Sequence, residues 1–160
     1  MSLKVGIGYD IHRLVPDRRL VLGGALVDFP LGLLGHSDGD AVTHAVCDAI
    51  LGACGMADIG VLFPDTSPET EGICSLDMLR AISSEIAQRF RVVNIDINCI
   101  CERPKLGGYR NEMVANIARA CKIEASAVTV KFRTNEGLGE IGAGEAIAAQ
   151  AVVLVEKLDV

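Results

Sequence analysis

The sequence predicts a single α+β domain, a mixed β-sheet with helices on one face and its other face left for sister subunits to cover. Three observations predict it. The elements read from hydrophobic periodicity run strand, hairpin, helix, helix, strand, helix, strand, strand. The 160 residues, 50% hydrophobic and 22% charged, form one domain over residues 1–160, long enough to bury about 70% of its unfolded surface. The last strand, Ala146 through Val155, is rich in Ala and Val with little charge, and would leave an aggregation-prone edge or surface on a monomer.

The first strand covers Lys4 to His12, where alternation is joined by Gly6 and Gly8; such glycines suit a strand whose backbone is closely approached by another element. Asp10 and His12 then share a face. Leu20–Leu22 and Ala25–Val27 flank Gly23-Gly24, which permits the positive φ angles of a two-residue hairpin loop. Residues 28–39 are expected to be loop. Apolar positions at helical spacing predict a helix from Asp40 to Cys54 with Asp38 or Gly39 as its cap. The stretch 55–72 is too long and breaker-rich for an ordinary connection and predicts a mobile flap. Ser75 is expected to cap a helix running to about Phe90. Period-two alternation from Val93 to Cys101 predicts a strand, residues 109–122 a helix, and Val128 to Arg133 a strand before the last one, which ends near Glu156.

Charge narrows the partners. Fifteen Lys and Arg against twenty-one Asp and Glu leave a net charge of −6, which argues against a nucleic-acid binder relying on a basic face. A small phosphorylated ligand stays open, because a cation, backbone N–H groups and one or two local cations can neutralise it. The opening Met1–Gly6 enters a strand pattern and carries no signal-peptide pattern, and the longest apolar stretch falls short of the roughly 20 residues of a membrane helix. Six cysteines without a CxxC pair are expected to be buried, reduced thiols of a cytoplasmic protein.

Several residues carry chemistry. Asp10 and His12 lie at a strand end, and His44 on a helix able to pack over it; two imidazoles and a carboxylate form a common zinc set with one open position. The same spacing also fits a chance pair and a core histidine. Asp40, His44 and Asp48 stack along one helix side, either as part of a site or as a solvated polar stripe. His36 precedes the helix start, where free N–H groups favour an anion or where capping alone suffices. Thr134-Asn135-Glu136 opens a glycine-rich turn that suits phosphate and a hard cation. Arg103-Pro104-Lys105 reads as a phosphate clamp or an ordinary turn.

Taken in order, five blocks resemble one family over nearly the whole chain: Gly8-Tyr9-Asp10-Ile11-His12; His36-Ser37-Asp38-Gly39-Asp40 with His44 and Asp48 through Ala53; Asp58-Ile59-Gly60 with Phe63-Pro64-Asp65-Thr66; Pro104-Lys105-Leu106; and Thr134 with Glu136. The family is that of the 2-C-methyl-D-erythritol 2,4-cyclodiphosphate synthases. The resemblance implies a homotrimer with active sites between subunits, and a cytidine diphosphate substrate, 4-diphosphocytidyl-2-C-methyl-D-erythritol 2-phosphate. In it the substrate's 2-phosphate attacks the β-phosphorus and CMP leaves, a reaction of non-mevalonate isoprenoid synthesis.

The same resemblance implies that Asp10, His12 and His44 bind Zn²⁺, and that Glu136 and the diphosphate hold Mg²⁺ or Mn²⁺. It implies that His36 and Thr134 stabilise the transition state, and that Asp48 supports the pocket wall. Ser37 and the flap, from Asp58, Ile59 and Gly60 through Phe63, Pro64, Asp65, Thr66 and Ser67, are implied to contact the erythritol phosphate and the sugar hydroxyls. Cys101, Glu102, Arg103, Pro104, Lys105, Leu106 and Gly107 of a neighbouring subunit are implied to hold cytosine and CMP, next to Arg133, Thr134, Asn135 and Glu136. Two departures from the family stand out. Phe132-Arg133 replace small residues, and Ala143 stands where many relatives have an Arg able to hold a prenyl diphosphate in a central cavity, which argues against that ligand.

Overall fold

The computed structural model describes residues 2–64, 66 and 72–159. Its sheet has five strands in the order β4-β1-β7-β5-β6, where β1 is Ser2–Pro16, β4 Leu31–Leu33, β5 Phe90–Ile100, β6 Val128–Arg133 and β7 Ala146–Lys157. β1 runs antiparallel to β4 and β7, and β7 antiparallel to β5, while β5 and β6 are parallel. The sheet is therefore mixed, as expected. A separate ribbon pairs β2 (Leu20–Leu22) with β3 (Ala25–Val27). Gly23 and Gly24 both take positive φ, which is the two-residue hairpin geometry read from the sequence.

Register divides the sheet into two unlike faces. Gly6, Gly8, Asp10 and His12 of β1 align with Val153, Ala151, Ala149 and Ile147 of β7, and the first three of these align in turn with Ile95, Ile97 and Cys99 of β5. These β5 and β7 side chains are buried under helix α1 (Ala41–Cys54), with α3 (Ser75–Ile86) packed beside it and α4 (Arg110–Cys121) beside α3. The opposite face carries Leu3, Val5, Ile7, Tyr9 and Ile11, 44–66% exposed, beside Val152. Farther across that face it turns polar with Asn94, Asp96, Asn98 and Lys131, and Lys131 pairs with Asp96 at 2.6 Å.

α1 rests on β1 without intervening side chains. A Cβ added at Gly6 would lie 1.9 Å from the Ala49 carbonyl oxygen, and one at Gly8 1.9 Å from that of Ala45. Asp40 caps α1, its Oδ1 accepting from Thr43 N at 3.0 Å. Its two oxygens also accept from Gly23 N at 2.8 Å and Gly24 N at 2.7 Å, tying the helix start to the hairpin. The expected caps, Asp38 and Gly39, are one or two residues early: Asp38 instead accepts from Asp40 N and Ser75 N.

Other expectations are corrected. Residues 28–39 are not all loop, because Leu31–Leu33 pairs with Leu14–Pro16; three residues are too few for a visible alternation. Ser75 is the first helical residue, following Cys74, and α3 ends at Ile86 because Phe90 already opens β5. A bulge between Val92 and Asn94 turns Val93 outward, so the period-two reading fails at that residue. The last strand is no edge: it lies at the centre of the sheet, and β1 supplies most of the exposed apolar face. Cys74 is exposed, whereas the other five cysteines are free and buried; burial pushes the Cys101 and Cys121 thiols up to about 11. Among the described residues no helix is long and apolar enough to cross a membrane.

The backbone contact predicts opposite outcomes for two glycines. Gly8→Ala must push α1 off β1 and should cost more than about 3 kcal/mol, with loss of the fold at ordinary temperature. Gly52→Ala, on α1 with only the Ile7 carbonyl oxygen 4.0 Å from the new methyl, should raise stability by up to about 1 kcal/mol. Thermal melts of the two variants check both.

Candidate metal centre and substrate pockets

Asp10 and His12 project from the helix-covered side of β1, and His44 comes down from α1 immediately before Ala45, whose carbonyl abuts Gly8. The close packing of strand and helix brings the three side chains together. Asp10 Oδ2 lies 2.8 Å from His12 Nε2 and 3.0 Å from His44 Nδ1, and the two nitrogens are 3.3 Å apart. One ligand atom from each residue falls within 4.8 Å of the others, which makes this group a candidate site for a metal ion. Two nitrogens and one carboxylate oxygen, with the remaining side open to a cavity, suit a divalent cation that keeps a free position.

Electrostatics agree with that use. Burial works against the charge on Asp10, yet hydrogen bonds and attraction from His12 and His44 outweigh it and hold the carboxyl well below its usual range. The hydrogen bond to Asp10 raises His12 above 6.5 against the opposing effect of burial. His12 Nδ1 lies 2.6 Å from the Leu34 carbonyl, so it carries the proton and leaves Nε2 directed at Asp10.

A cavity of about 280 Å³ opens over the triad, lined also by His36, Ser37, Asp48, Ile59, Gly60 and Phe63. Asp48 Oδ1 accepts from Ile59 N at 2.8 Å and so ties the wall to α1, while burial raises its carboxyl. The short helix α2 (Ile59–Leu62) carries that wall, and Asp58 caps it, accepting from Val61 N at 3.3 Å, without lining the cavity. His36 is exposed, and Ser37 is buried with Oγ 3.1 Å from His44 Nε2. Asp40, His44 and Asp48 are thus not a solvated stripe, since each is engaged. Thr66 is exposed, Pro64 adjoins the wall residue Phe63, and Asp65 and Ser67 lie outside the described residues.

The remaining predicted residues lie elsewhere. Cys101, Glu102, Pro104, Lys105, Leu106 and Gly107, with Phe132, Arg133 and Thr134, line a second cavity of about 310 Å³. Arg103 lies beside Gly144 and does not line it. Cys101 N donates to the Arg133 carbonyl at 2.8 Å, and Glu102 accepts from Asn135 N at 3.0 Å, so the two walls are joined. Phe132 has the Arg110 guanidinium 5.3 Å over its ring. Thr134 Oγ1 donates to Glu136 at 3.0 Å, and Glu136 holds a positive φ of 52°. Asp10 aligns with Ala149, then Cys99, then Phe132, three strand spacings or about 14 Å across one end of the sheet. Sequence reading missed Arg18, whose guanidinium donates to the Gly35 and Ser37 carbonyls at 2.9 and 2.8 Å and clamps the His36 loop. It also missed Ser75, 2.8 Å from His44 Nε2; nothing local in the sequence marks either.

Fold and site together define an α+β domain with a cavity over a two-histidine, one-aspartate group able to hold a metal ion. The chain belongs to the YgbB family, whose model matches residues 3–156. It is 49% identical over 155 residues to the 2-C-methyl-D-erythritol 2,4-cyclodiphosphate synthase of Desulfatibacillum aliphaticivorans, covering 96% of this chain and 100% of that one. An IspF from Plasmodium falciparum, solved as a CDP complex, superposes with a TM-score of 0.86 at 35% identity over 99% of this chain and 98% of its own. The bifunctional IspDF from Campylobacter jejuni gives a TM-score of 0.94 at 35% identity; the match covers 99% of this chain and 43% of that longer one.

The triad makes the metal-free protein's stability pH-dependent. Asp10, depressed below 3.8, contributes stability that is present above 3.8 and lost as pH falls through its folded value. His12, raised above 6.5, contributes stability that is full below 6.5 and lost as pH rises through its folded value. Asp10→Asn should therefore lower the melting temperature in chelator most between those two ordinary values, at roughly 2–4 °C per kcal/mol for a chain of this size. Its deficit should shrink on the alkaline side.

Proposed function

We propose that this chain cyclises 4-diphosphocytidyl-2-C-methyl-D-erythritol 2-phosphate to 2-C-methyl-D-erythritol 2,4-cyclodiphosphate with release of CMP, a step of non-mevalonate isoprenoid precursor synthesis. The observation that carries the reading is the Asp10–His12–His44 centre under a cavity in a chain whose near-full-length relatives bear that synthase's name. An oxygen of the substrate's 2-phosphate bonds to the β-phosphorus, and the bond from that phosphorus to the bridging oxygen breaks, leaving both electrons with CMP. No protein nucleophile is required, so catalysis is positioning and charge stabilisation.

Asp10, His12 and His44 would hold Zn²⁺, favoured by the mixed nitrogen and oxygen donors, and Glu136 with the diphosphate would hold Mg²⁺ or Mn²⁺. Bound there, the cations supply Lewis-acid polarisation of phosphate oxygens. Ser37, Ile59, Gly60 and Phe63 line the space for the erythritol phosphate, with His36 at its mouth. The second cavity takes the cytidine: Leu106 and Phe132 offer apolar walls and Lys105 a cation for the adjoining phosphate. Thr134 at its rim would meet the oxygens whose charge rearranges.

A homotrimer completes this site. Among the described residues the two cavities share none, while the face bearing Val5, Ile7 and Tyr9 is more than half exposed, apolar area whose covering is favourable. Closed assembly covers that face and sets the 101–107 pocket of one copy opposite the triad of the next. The reduced thiols and the biosynthetic role favour the cytoplasm.

Phosphorus NMR of the cytidyl substrate incubated with protein, Mg²⁺ and Zn²⁺ tests the reading. Cyclic diphosphate and CMP are expected; inorganic phosphate as the product would make the protein a phosphohydrolase and overturn it. In steady-state kinetics Thr134→Ala should lower kcat by about 10²-fold with a smaller change in KM, whereas Lys105→Ala should act chiefly on KM. Sedimentation should give three times the chain mass of 16.9 kDa. Ile7→Asp should shift it toward monomer and abolish turnover while metal content is kept, because the triad belongs to one chain.

A further inference from the structure

We propose that Ser75 and Asp38 are positioning residues for His44, fixing its proton on Nε2 so that Nδ1 is the ligand atom. The inference rests on the metal-centre reading and deepens it. Ser75 is fully buried at the start of α3, outside the cavity lining, and among the described residues its contact with the triad is through His44. Its Oγ lies 2.8 Å from His44 Nε2. The Ser75 hydroxyl donates to Asp38 Oδ1, and the Ser75 backbone N–H donates to Asp38 Oδ2 at 3.0 Å.

A serine hydroxyl has one proton. With that proton committed to Asp38, Ser75 Oγ has only lone pairs to offer His44, so Nε2 must donate. Ser37 Oγ, 3.1 Å from the same nitrogen and accepting from Gly39 N at 3.2 Å, offers a second acceptor. His44 Nδ1 is then free on the side where Asp10 Oδ2 stands at 3.0 Å. His12 is oriented the opposite way, since the Leu34 carbonyl takes its Nδ1 proton. The two imidazoles therefore present different nitrogens to one point. A carboxylate acting through the hydroxyl also makes His44 a more basic donor, as outer partners of ligating histidines do.

The test uses the full chain, stripped of metal and titrated with Zn²⁺ against a chromophoric chelator, together with ¹⁵N-histidine spectra of the zinc-loaded protein. Native protein should retain N–H on His44 Nε2 and on His12 Nδ1. Ser75→Ala should weaken zinc binding on the order of 10-fold. Asp38→Asn keeps the shape but removes one acceptor and frees the Ser75 hydroxyl to turn toward His44; it should weaken zinc binding similarly and disturb the His44 Nε2–H resonance while leaving that of His12 in place. A proton on His44 Nδ1 in the native zinc form, or zinc affinity within about twofold of native in both variants, would overturn the positioning role alone. Native protein that binds no zinc would overturn the metal centre and this inference with it.

Discussion

The separation between two backbones, that of α1 and that of β1, governs the geometry of everything at the site. Gly6 and Gly8 let the carbonyls of Ala49 and Ala45 approach where any Cβ would sit at 1.9 Å. Glycine in a strand costs roughly 0.5–1 kcal/mol against alanine, and here the cost is offset by seating an Ala-rich helix directly on the sheet. His44 precedes Ala45, and Asp10 follows Gly8 by two residues on the same face of β1. The contact that excludes side chains is thus the one that delivers an imidazole to a carboxylate.

Charge then fixes what the convergence can do. Asp10 stays ionised in a half-buried setting because two imidazoles face it, and its charge together with their nitrogens suits a cation. Carbonyl and hydroxyl partners behind the rings hold each imidazole in place: Leu34 behind His12, and Ser37 and Ser75 behind His44. Arg18 holds the loop that carries His36 and Ser37 by its backbone carbonyls alone, leaving the side chains of that loop to their own contacts. The second cavity, formed at the ends of β5 and β6, is braced separately through Glu102 and Asn135. Two separate cavities at one end of the sheet and an exposed apolar face on β1 are the physical case for the proposed assembly.

What was legible in the sequence is what short-range physics controls. The hairpin at Gly23-Gly24, the body of α1 and the strand β6 follow from turn chemistry and periodicity, and the glycines of β1 already pointed to a close approach. The metal set was legible as residue types, but spacing alone left open whether residues 34 positions apart would meet. The family resemblance resolved that where periodicity did not. Features that depend on distant partners stayed hidden. β4 exists because β1 is long enough to pair with it, Asp40 became the cap because the hairpin amides also needed an acceptor, and Ser75 joined the site across 31 residues. The last strand was read as an edge or surface for sister subunits to cover, yet it lies at the sheet's centre and is largely buried within one chain, since composition signals burial and says nothing of sheet order.

The claim on which the rest turns is that one copy supplies the metal and its neighbour the nucleotide pocket. Diffraction at the zinc edge from crystals grown with Zn²⁺ and CDP measures it directly. The arrangement predicts one anomalous peak per chain, about 2.0–2.2 Å from Asp10, His12 Nε2 and His44 Nδ1, with the diphosphate of CDP reaching it from a cytidine seated in residues 101–107 of an adjacent copy. Zinc bound away from the triad, or CDP spanning both cavities of a single chain, would contradict it.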